Sequence, residues 1–371
     1  MSKQINPKLI HALLDDSSAK VPEKPTFKHL GGVYVKSVVD HIRKFEPPFG
    51  KNNMRLRCTQ CGAKGQYDVG VIAVNPEKPK DKQYSGYFRC KQCNAAGCWE
   101  EPLDIQLLIM AAMLSPYVGF PVHFGENVLS DGFRPTFGTD SEEHYLTLIA
   151  QDRQNALLWN KLGNVYKMGA RPELAMAAYE KSIALDYMQI ESHLSIAQLL
   201  QVLDDDKQAI FHYHQAMLFA DRYEHLSDFQ LRELVASAIA NSLIITYESK
   251  YKLNPLPSAE DITAAGSKAN LTATNLPRYL TLSSEDLTTF YPLAEAFLSP
   301  ERPTPKRKVG TKAQRVEAFI VKQTEPFTKA HIQQACPDVS LATINKVVAE
   351  LRKAGKIDFT GHGTAVRWFT I

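Results

Sequence analysis

Residues 159–186 read WNKLGNVYKMGARPELAMAAYEKSIALD. Set against the rest of the chain at an offset of 34, Trp159, Leu162, Gly163, Tyr166, Ala175, Tyr179 and Ser182 fall on His193, Ile196, Ala197, Leu200, Ala209, Tyr213 and Ala216. Self-similarity at one fixed period of this size marks a stack of helical units. The small residues Gly163, Ala175, Ala197 and Ala209 let two antiparallel helices approach closely, and the aromatic residues fill the remaining gap.

The spacing Trp-x2-Leu-Gly-x2-Tyr followed by Ala-x3-Tyr resembles the tetratricopeptide repeat family. The stretch HYLTLIAQDRQN (144–155) looks like the second helix of a preceding repeat, with Tyr145 lying 34 residues before Tyr179. Two departures stand out: Tyr187 and Asp221 replace the family's closing proline, and Ser182 takes an alanine position. Two repeats cannot bury a solenoid core alone, so neighbouring helices must cap them, and 103–115 and 228–250 are the candidates by pattern. The resemblance implies a concave groove lined by Asn160, Asn164 and Lys167 from one repeat and Leu194, Gln198 and Gln201 from the next. Such a groove would bind a protein or peptide partner. The basic clamp that some relatives use for C-terminal carboxylates is incomplete, because Leu194 and glutamines stand in the second repeat. Asp204, Asp205 and Asp206 read as a solvated turn, and His212 and His214, two apart on a helix, share no face.

Four of the six cysteines form Cys58-x2-Cys61 and Cys90-x2-Cys93. Paired CxxC turns bring four thiolates to the corners of a tetrahedron, which is a closed structural zinc site with no open position for catalysis. Between the pairs, 65–74 reads as a strand, 75–83 as a polar loop and 84–90 as a returning strand. This arrangement resembles a zinc ribbon, and one structural Zn2+ is expected. Cys98 beside Trp99 reads as a small buried hydrophobe. Arg55, Arg57, Lys64, Arg89 and Lys91 cluster around the knuckles, and whether the ribbon meets nucleic acid or protein stays open.

Charge is segregated along the chain. Residues 1–110 carry a balance of +6, residues 111–300 of −10 and residues 301–371 of +7, which suggests polyanion contacts at the two ends. In the basic C-terminus, 299–310 reads as a proline-containing linker with a KRK triplet. Thr311-x2-Gln314 is a capping box opening a helix to about Gln323. Thr328 caps a second helix, and Ser340 caps a third that ends at Gly355. IDFT and AVRWFTI then alternate as strands around GHGT (361–364). Three helices and a hairpin resemble a winged helix-turn-helix. In its third helix Leu341, Ile344, Val348 and Leu351 form the buried stripe. Thr343, Asn345 and Lys346 are then the residues for base edges, and Lys353, Lys356, His362 and Arg367 for phosphates or the minor groove.

With 371 residues, 44% of them hydrophobic and 22% charged, the chain is long enough for several folded units. The longest apolar run, Leu107 to Leu114, is too short for a membrane span, and the start has no apolar segment of a secretory signal, so a cytoplasmic protein is expected. The fold class expected is multidomain and mainly α: an N-terminal extension (1–50), a β-rich zinc ribbon (51–102), a helical connector (103–140), tetratricopeptide-like repeats (141–225), capping helices (226–298), a linker (299–310) and an α+β winged helix (311–371). No phosphate loop, HExxH, GxSxG or GxGxxG is present, so no enzyme is expected and no small-molecule ligand is indicated. The leading expectation is a DNA-binding regulatory or adaptor protein that contacts duplex DNA and a protein partner. The alternative is an interaction scaffold whose winged helix and ribbon both dock proteins.

Overall fold

The computed structural model describes residues 4–14, 20–75, 78–97, 99–101, 103–114, 122–271, 281–283, 285–298, 312–321, 323, 326–336, 339–353, 355–360 and 367–370. It is mainly α with small sheets, and the described residues fall into two compact units divided near residue 302. The expected cap Thr311, the linker 299–310, Cys98 and the wing tip with His362 lie outside the described residues.

The first unit begins with α1 (Pro7–Leu14), which buries Leu9 and Ile10, and α2 (Val35–Asp40), which buries Val35 and Val38. These side chains join the core of the helical repeats, so the N-terminal extension is packed structure. Tyr34 donates its backbone N–H to the Glu180 carboxylate at 2.7 Å, and Lys44 pairs with Asp204 at 2.5 Å.

Two three-stranded sheets follow. Strand β1 (Asn53–Cys58) alternates strictly, with Met54, Leu56 and Cys58 inward and Asn53, Arg55 and Arg57 outward. It pairs antiparallel with β2 (Lys64–Asp68). Strand β3 (Ile72–Asn75) pairs antiparallel with β4 (Lys78–Tyr84), while β5 (Trp99–Glu100) adds to the other side of β1. The expected strand 65–74 is thus two strands. It breaks at Gly70, whose φ is +66° and where an added Cβ would lie 2.7 Å from the backbone of Gly86. The expected loop 75–83 is largely strand β4, and the backbone from Ser85 to Cys90 is not strand. Strand β4 lies at a sheet edge, and its Lys82 is paired with Glu101.

Helix α3 (Leu103–Leu114), expected as a cap on the repeats, sends Ile109 into the core of these sheets. Strand β6 (Val122–Phe124) runs parallel to β3. Helix α4 (Gly138–Gln151) starts earlier and ends earlier than the pattern suggested. The Asp140 carboxylate accepts the N–H groups of Thr136 and Phe137 at its start, and Asn155 is already the N-cap of the next helix.

Helices α5 (Ala156–Met168) and α6 (Pro172–Leu185) are matched by α7 (Ile190–Val202) and α8 (Asp206–Leu218), each pair offset by 34 residues. The turns repeat as well, with Ala170 at φ +56° and Asp204 at φ +60°. A Cβ on Gly163 would meet the Tyr179 ring at 2.4 Å, so only glycine allows α5 and α6 this approach. Asp205 caps α8 by accepting the Gln208 N–H, so the aspartate turn is built into the fold. Helix α9 (Asp228–Glu248) packs on α8 as the expected cap. It is covered in turn by residues 285–298, which bury Phe290, Ala294 and Phe297 and include α11 (Tyr291–Glu295), after the short α10 (Ala259–Ala264).

The second unit holds α12 (Lys312–Val321), α13 (Lys329–Ala335), α14 (Leu341–Lys353) and the antiparallel pair β7 (Ile357–Thr360) and β8 (Arg367–Thr370). Phe327 and Trp368 exchange backbone hydrogen bonds at 2.8 Å in both directions. Thr328 and Ser340 cap α13 and α14 as expected, and Gly355 at φ +70° follows the end of α14. The buried stripe of α14 is Ile344, Val347, Val348 and Leu351; Leu341 is 55% exposed because the first turn of the helix overhangs the core.

Two substitutions test the packing. Glu142 is wholly buried and accepts from Tyr87, Arg89, Tyr166 and Asn6, so Glu142→Gln places an amide among donors and strands the Arg89 charge. Urea unfolding is expected to show a loss of about 3 kcal/mol. Burial raises Glu180 from its ordinary 4.5 to about 7, against the N–H donors of Tyr34 and Val33. The folded chain therefore keeps a proton that the unfolded chain has lost between those values, and stability falls as pH rises through the window. Glu180→Gln should remove that part of the pH dependence, read as the difference between the two unfolding profiles.

Candidate functional site

The four cysteines converge at one end of the first sheet. Each pair sits in the same kind of turn. The Gly62 N–H donates to the Cys58 carbonyl at 2.8 Å and the Asn94 N–H to the Cys90 carbonyl at 2.9 Å. Cys58 and Cys90 donate their own N–H groups to Ala63 and Ala95 at 2.9 and 2.8 Å. Gly62 and Asn94 both take left-handed φ, at +74° and +62°. Asn94 tolerates this because its side chain is engaged with the carbonyls of Ile5 and Glu23.

The resulting sulfur geometry fits a metal. Cys58 and Cys93 Sγ are 3.7 Å apart, Cys61 and Cys90 Sγ are 3.6 Å apart, and all four lie within 4.8 Å of one another. A tetrahedral ion holding thiolates at about 2.3 Å would set them about 3.8 Å apart. Cys58 and Cys90 are buried, whereas Cys61 is exposed. Burial pushes the Cys93 thiol up to about 12, while N–H donors from Cys93 and Gln92 overcome burial and pull Cys90 down to about 7. A cation is the group that lets all four ionise together.

Of the basic residues around the knuckles, Arg55, Arg57, Lys64 and Lys91 are exposed. Arg55 and Arg57 stand on the outer face of β1 opposite Gln66 and Lys64. Arg57 pairs with Glu100, and Lys91 donates to the Gln66 carbonyl over the Tyr67 ring. Arg89 departs from this group: it is buried, with its guanidinium 2.8 Å from Glu142.

The groove residues form an internal polar ladder. Asn160 does not line a groove; it is 1% exposed and donates to Ser192 Oγ at 2.9 Å. Ser192 donates to Ser182, and Ser182 to the Ala156 carbonyl, so the serine in the alanine position completes a buried chain. Asn164 donates to Asn160 and accepts from the Tyr179 hydroxyl at 2.7 Å. Lys167 donates to Gln198 Oε1 at 2.6 Å, and Gln201 accepts from the Tyr213 hydroxyl at 2.8 Å. Burial lowers the Lys167 ammonium below its ordinary value.

On α14, Ala342, Lys346, Ala349 and Lys353 recur at helical spacing on the exposed side, flanked by Asn345 and Arg352. Thr343 is half-buried, with its hydroxyl 3.0 Å from Ser340. Lys356 pairs with Glu317 at 3.4 Å, Arg352 lies over the Phe359 ring at 4.5 Å, and Arg367 is exposed on β8. Lys329, Asn345, Arg352, Lys353 and Trp368 line one shallow concavity of about 480 Å³.

One polar contact escaped the sequence. His193 and His212 face each other through their Nδ1 atoms at 2.8 Å, with His193 Nε2 against the Tyr187 carbonyl. Burial lowers them to about 4 and about 3, so both rings are neutral at pH 7. No helix among the described residues is long and apolar enough to cross a membrane. No family model, curated protein or solved structure matches the chain.

The sulfur cluster makes a direct prediction. Elemental analysis of purified protein should return about one metal ion per chain. Cys58→Ser should lose the ion, with loss of amide dispersion for residues 51–101. A chain that remains metal-free and fully folded contradicts the site.

Proposed function

We propose that this chain is a DNA-binding regulatory or adaptor protein, cytoplasmic, whose C-terminal unit works as a winged helix and whose helical repeats hold a protein partner. The observation that carries the reading is the exposed side of α14, where Lys346 and Lys353 lie along one line with Ala342 and Ala349 between them and Asn345 and Arg352 beside it. Small residues on that line allow close approach to a groove, and the lysines supply the charge that phosphates attract.

In this reading the first half of α14 enters the major groove. Asn345 has the donor and acceptor pattern for a bidentate pair with adenine, and Lys346 reaches guanine or a phosphate. Lys353 and Arg367 contact phosphates, with Lys329 on the same side of the unit. Thr343 contributes through its tie to Ser340, which fixes the first turn of α14. In the repeats, Asn164, Lys167, Gln198 and Gln201 are the partner-facing residues, and the cation of Lys167, whose partner Gln198 is neutral, suits an acidic peptide. The metal is zinc in this proposal, because four cysteines and no other ligand type meet at tetrahedral spacing and close the site to chemistry.

A scaffold reading has one specific support, the 55% exposed Leu341 beside the basic line, which suits a protein surface better than a phosphate backbone. Titration against random duplex DNA at increasing salt separates the two. For the full chain, log K should fall with log salt at a slope of about −4 to −6, and a chain ending at Ser299 should lose that binding. Lys346→Ala should weaken binding and lower the slope by about 1. If the full chain does not bind duplex DNA at low salt, the regulator reading fails.

A further inference from the structure

The segment 27–45 packs on the helical repeats, with α2 against α6, and it buries Leu30, Val35 and Val38 in the shared core. Within it, Tyr34 is bonded at both ends to ionisable groups. Its backbone N–H donates to Glu180 Oε1 on α6 at 2.7 Å. Its hydroxyl donates to Gln208 Oε1 on α8 at 2.8 Å and lies 3.3 Å from His212 Nε2. The Tyr34 ring meets the His212 ring edge-on at 5.6 Å, and His212 continues to His193 through their 2.8 Å Nδ1 contact.

Neither group is paired with an opposite charge. Glu180 Oε2 is buried without a hydrogen-bond partner, and a side chain on Gly32 would run into it, so the carboxylate fills the turn that carries Tyr34. Lys28, Lys36 and Asp40 of the segment are exposed, as are Asp205 and Lys207 beside Gln208, and Lys181 follows Glu180 on α6. Among the described residues none of these forms an ion pair with Glu180. His29 is held by Thr26. On the other side Asp186 is the acid that acts on His193, and its two oxygens already accept from Met188 and Gln189. A charge formed at either place is therefore buried and unmatched, and lifting the segment is the short way to hydrate it. The two groups charge in opposite directions, the carboxyl by losing a proton and the imidazoles by gaining one.

We infer that Tyr34 is a two-sided pH latch: ionisation of Glu180 as pH rises, and protonation of the His193–His212 pair as pH falls, each release residues 31–45 from the repeats. Burial raises Glu180 from 4.5 to about 7 despite the donors in the 33–34 turn. Burial lowers His193 from 6.5 to about 4, and burial with the neighbouring His193 lowers His212 to about 3. Between 4.5 and about 7 the docked form keeps a Glu180 proton that the released form loses, so release grows up to about tenfold per unit rise in pH. For a histidine the released form takes up a proton below 6.5 that the docked form refuses, so release grows as pH falls. The latch uses neither the metal nor the DNA-binding surface.

The test is amide hydrogen exchange of residues 31–45 in the full chain from about pH 4 to 8, with each rate corrected for its intrinsic pH dependence to give an opening constant. The ratio of the parent's constant to that of a variant at the same pH isolates the group removed. For Glu180→Gln the ratio should rise at least about tenfold between pH 5 and 7, and for His212→Gln it should fall at least about tenfold between pH 4 and 6. A ratio that stays level overturns the latch at that end. Exchange of 31–45 in step with α6 and α8 overturns local release, because the segment then opens only with the whole unit. The parent gives the same answer without a variant that must fold: the His212 ring should stay neutral down to about pH 5 and the Glu180 carboxyl should titrate near 7. Titration at the ordinary 6.5 and 4.5 overturns the proposal.

Discussion

The Glu142 carboxylate is the fixed point of the first unit. Each of its oxygens receives two donors: the hydroxyls of Tyr87 and Tyr166 reach Oε1 at 2.8 and 2.7 Å, while Arg89 and Asn6 reach Oε2 at 2.8 and 3.0 Å. Burial first, and then the carboxylate itself, hold both phenols well above their ordinary range, so they remain donors at any physiological pH. A buried carboxylate is tolerable only when its lone pairs are filled and its charge is matched. Here the filling comes from the N-terminal segment, from the cysteine-bearing region and from the first repeat. Pulling any one of them away leaves a buried charge with an open lone pair. That constraint binds three stretches, which look like separate modules in the sequence, into one body.

What could be read in the sequence was local. The 34-residue offset, the CxxC spacing, the caps Thr328 and Ser340, and the apolar spacing of Ile344, Val348 and Leu351 all depend on neighbours within a turn or a repeat. What escaped depends on partners far away. Asn6 lies 136 residues from Glu142, and nothing in MSKQINPKLI marks its amide as part of a core. Strand β4 looked like a loop because KPKDKQ has no alternation, and its pairing with β3 outweighs its weak propensity. The repeat resemblance puts Asn160 in a groove and the knuckle spacing puts Arg89 among exposed cations, yet both are buried, since a charged or amide side chain goes inside only when a distant partner meets it.

Ser182 shows how such a partner changes the meaning of a residue. In an alanine position it looks like a loss of packing. In the fold it links the Ala156 carbonyl to Ser192 and on to Asn160, so the first repeat is joined to the second by hydrogen bonds as well as by apolar contact. The same link buries Asn160 and leaves Asn164, Lys167, Gln198 and Gln201 as the remaining residues of the expected groove. These are held by Tyr179, by one another and by Tyr213. Side chains fixed in this way would lose little further entropy to the partner proposed for the repeats.

The cysteine cluster is tied to the N-terminal segment by one short chain of contacts. Asn94, directly after Cys93, holds the Ile5 carbonyl at 2.9 Å, and Arg89, directly before Cys90, donates to the Asn94 carbonyl and to Glu142. Ile5 and Asn6 lead straight into α1. An ion that fixes the Cys90–Cys93 turn therefore fixes Asn94, and through it the start of α1. Asn6, at the start of that helix, donates to Glu142 as Arg89 does, so whatever holds the Cys90–Cys93 turn in place also supports the carboxylate that holds the unit together.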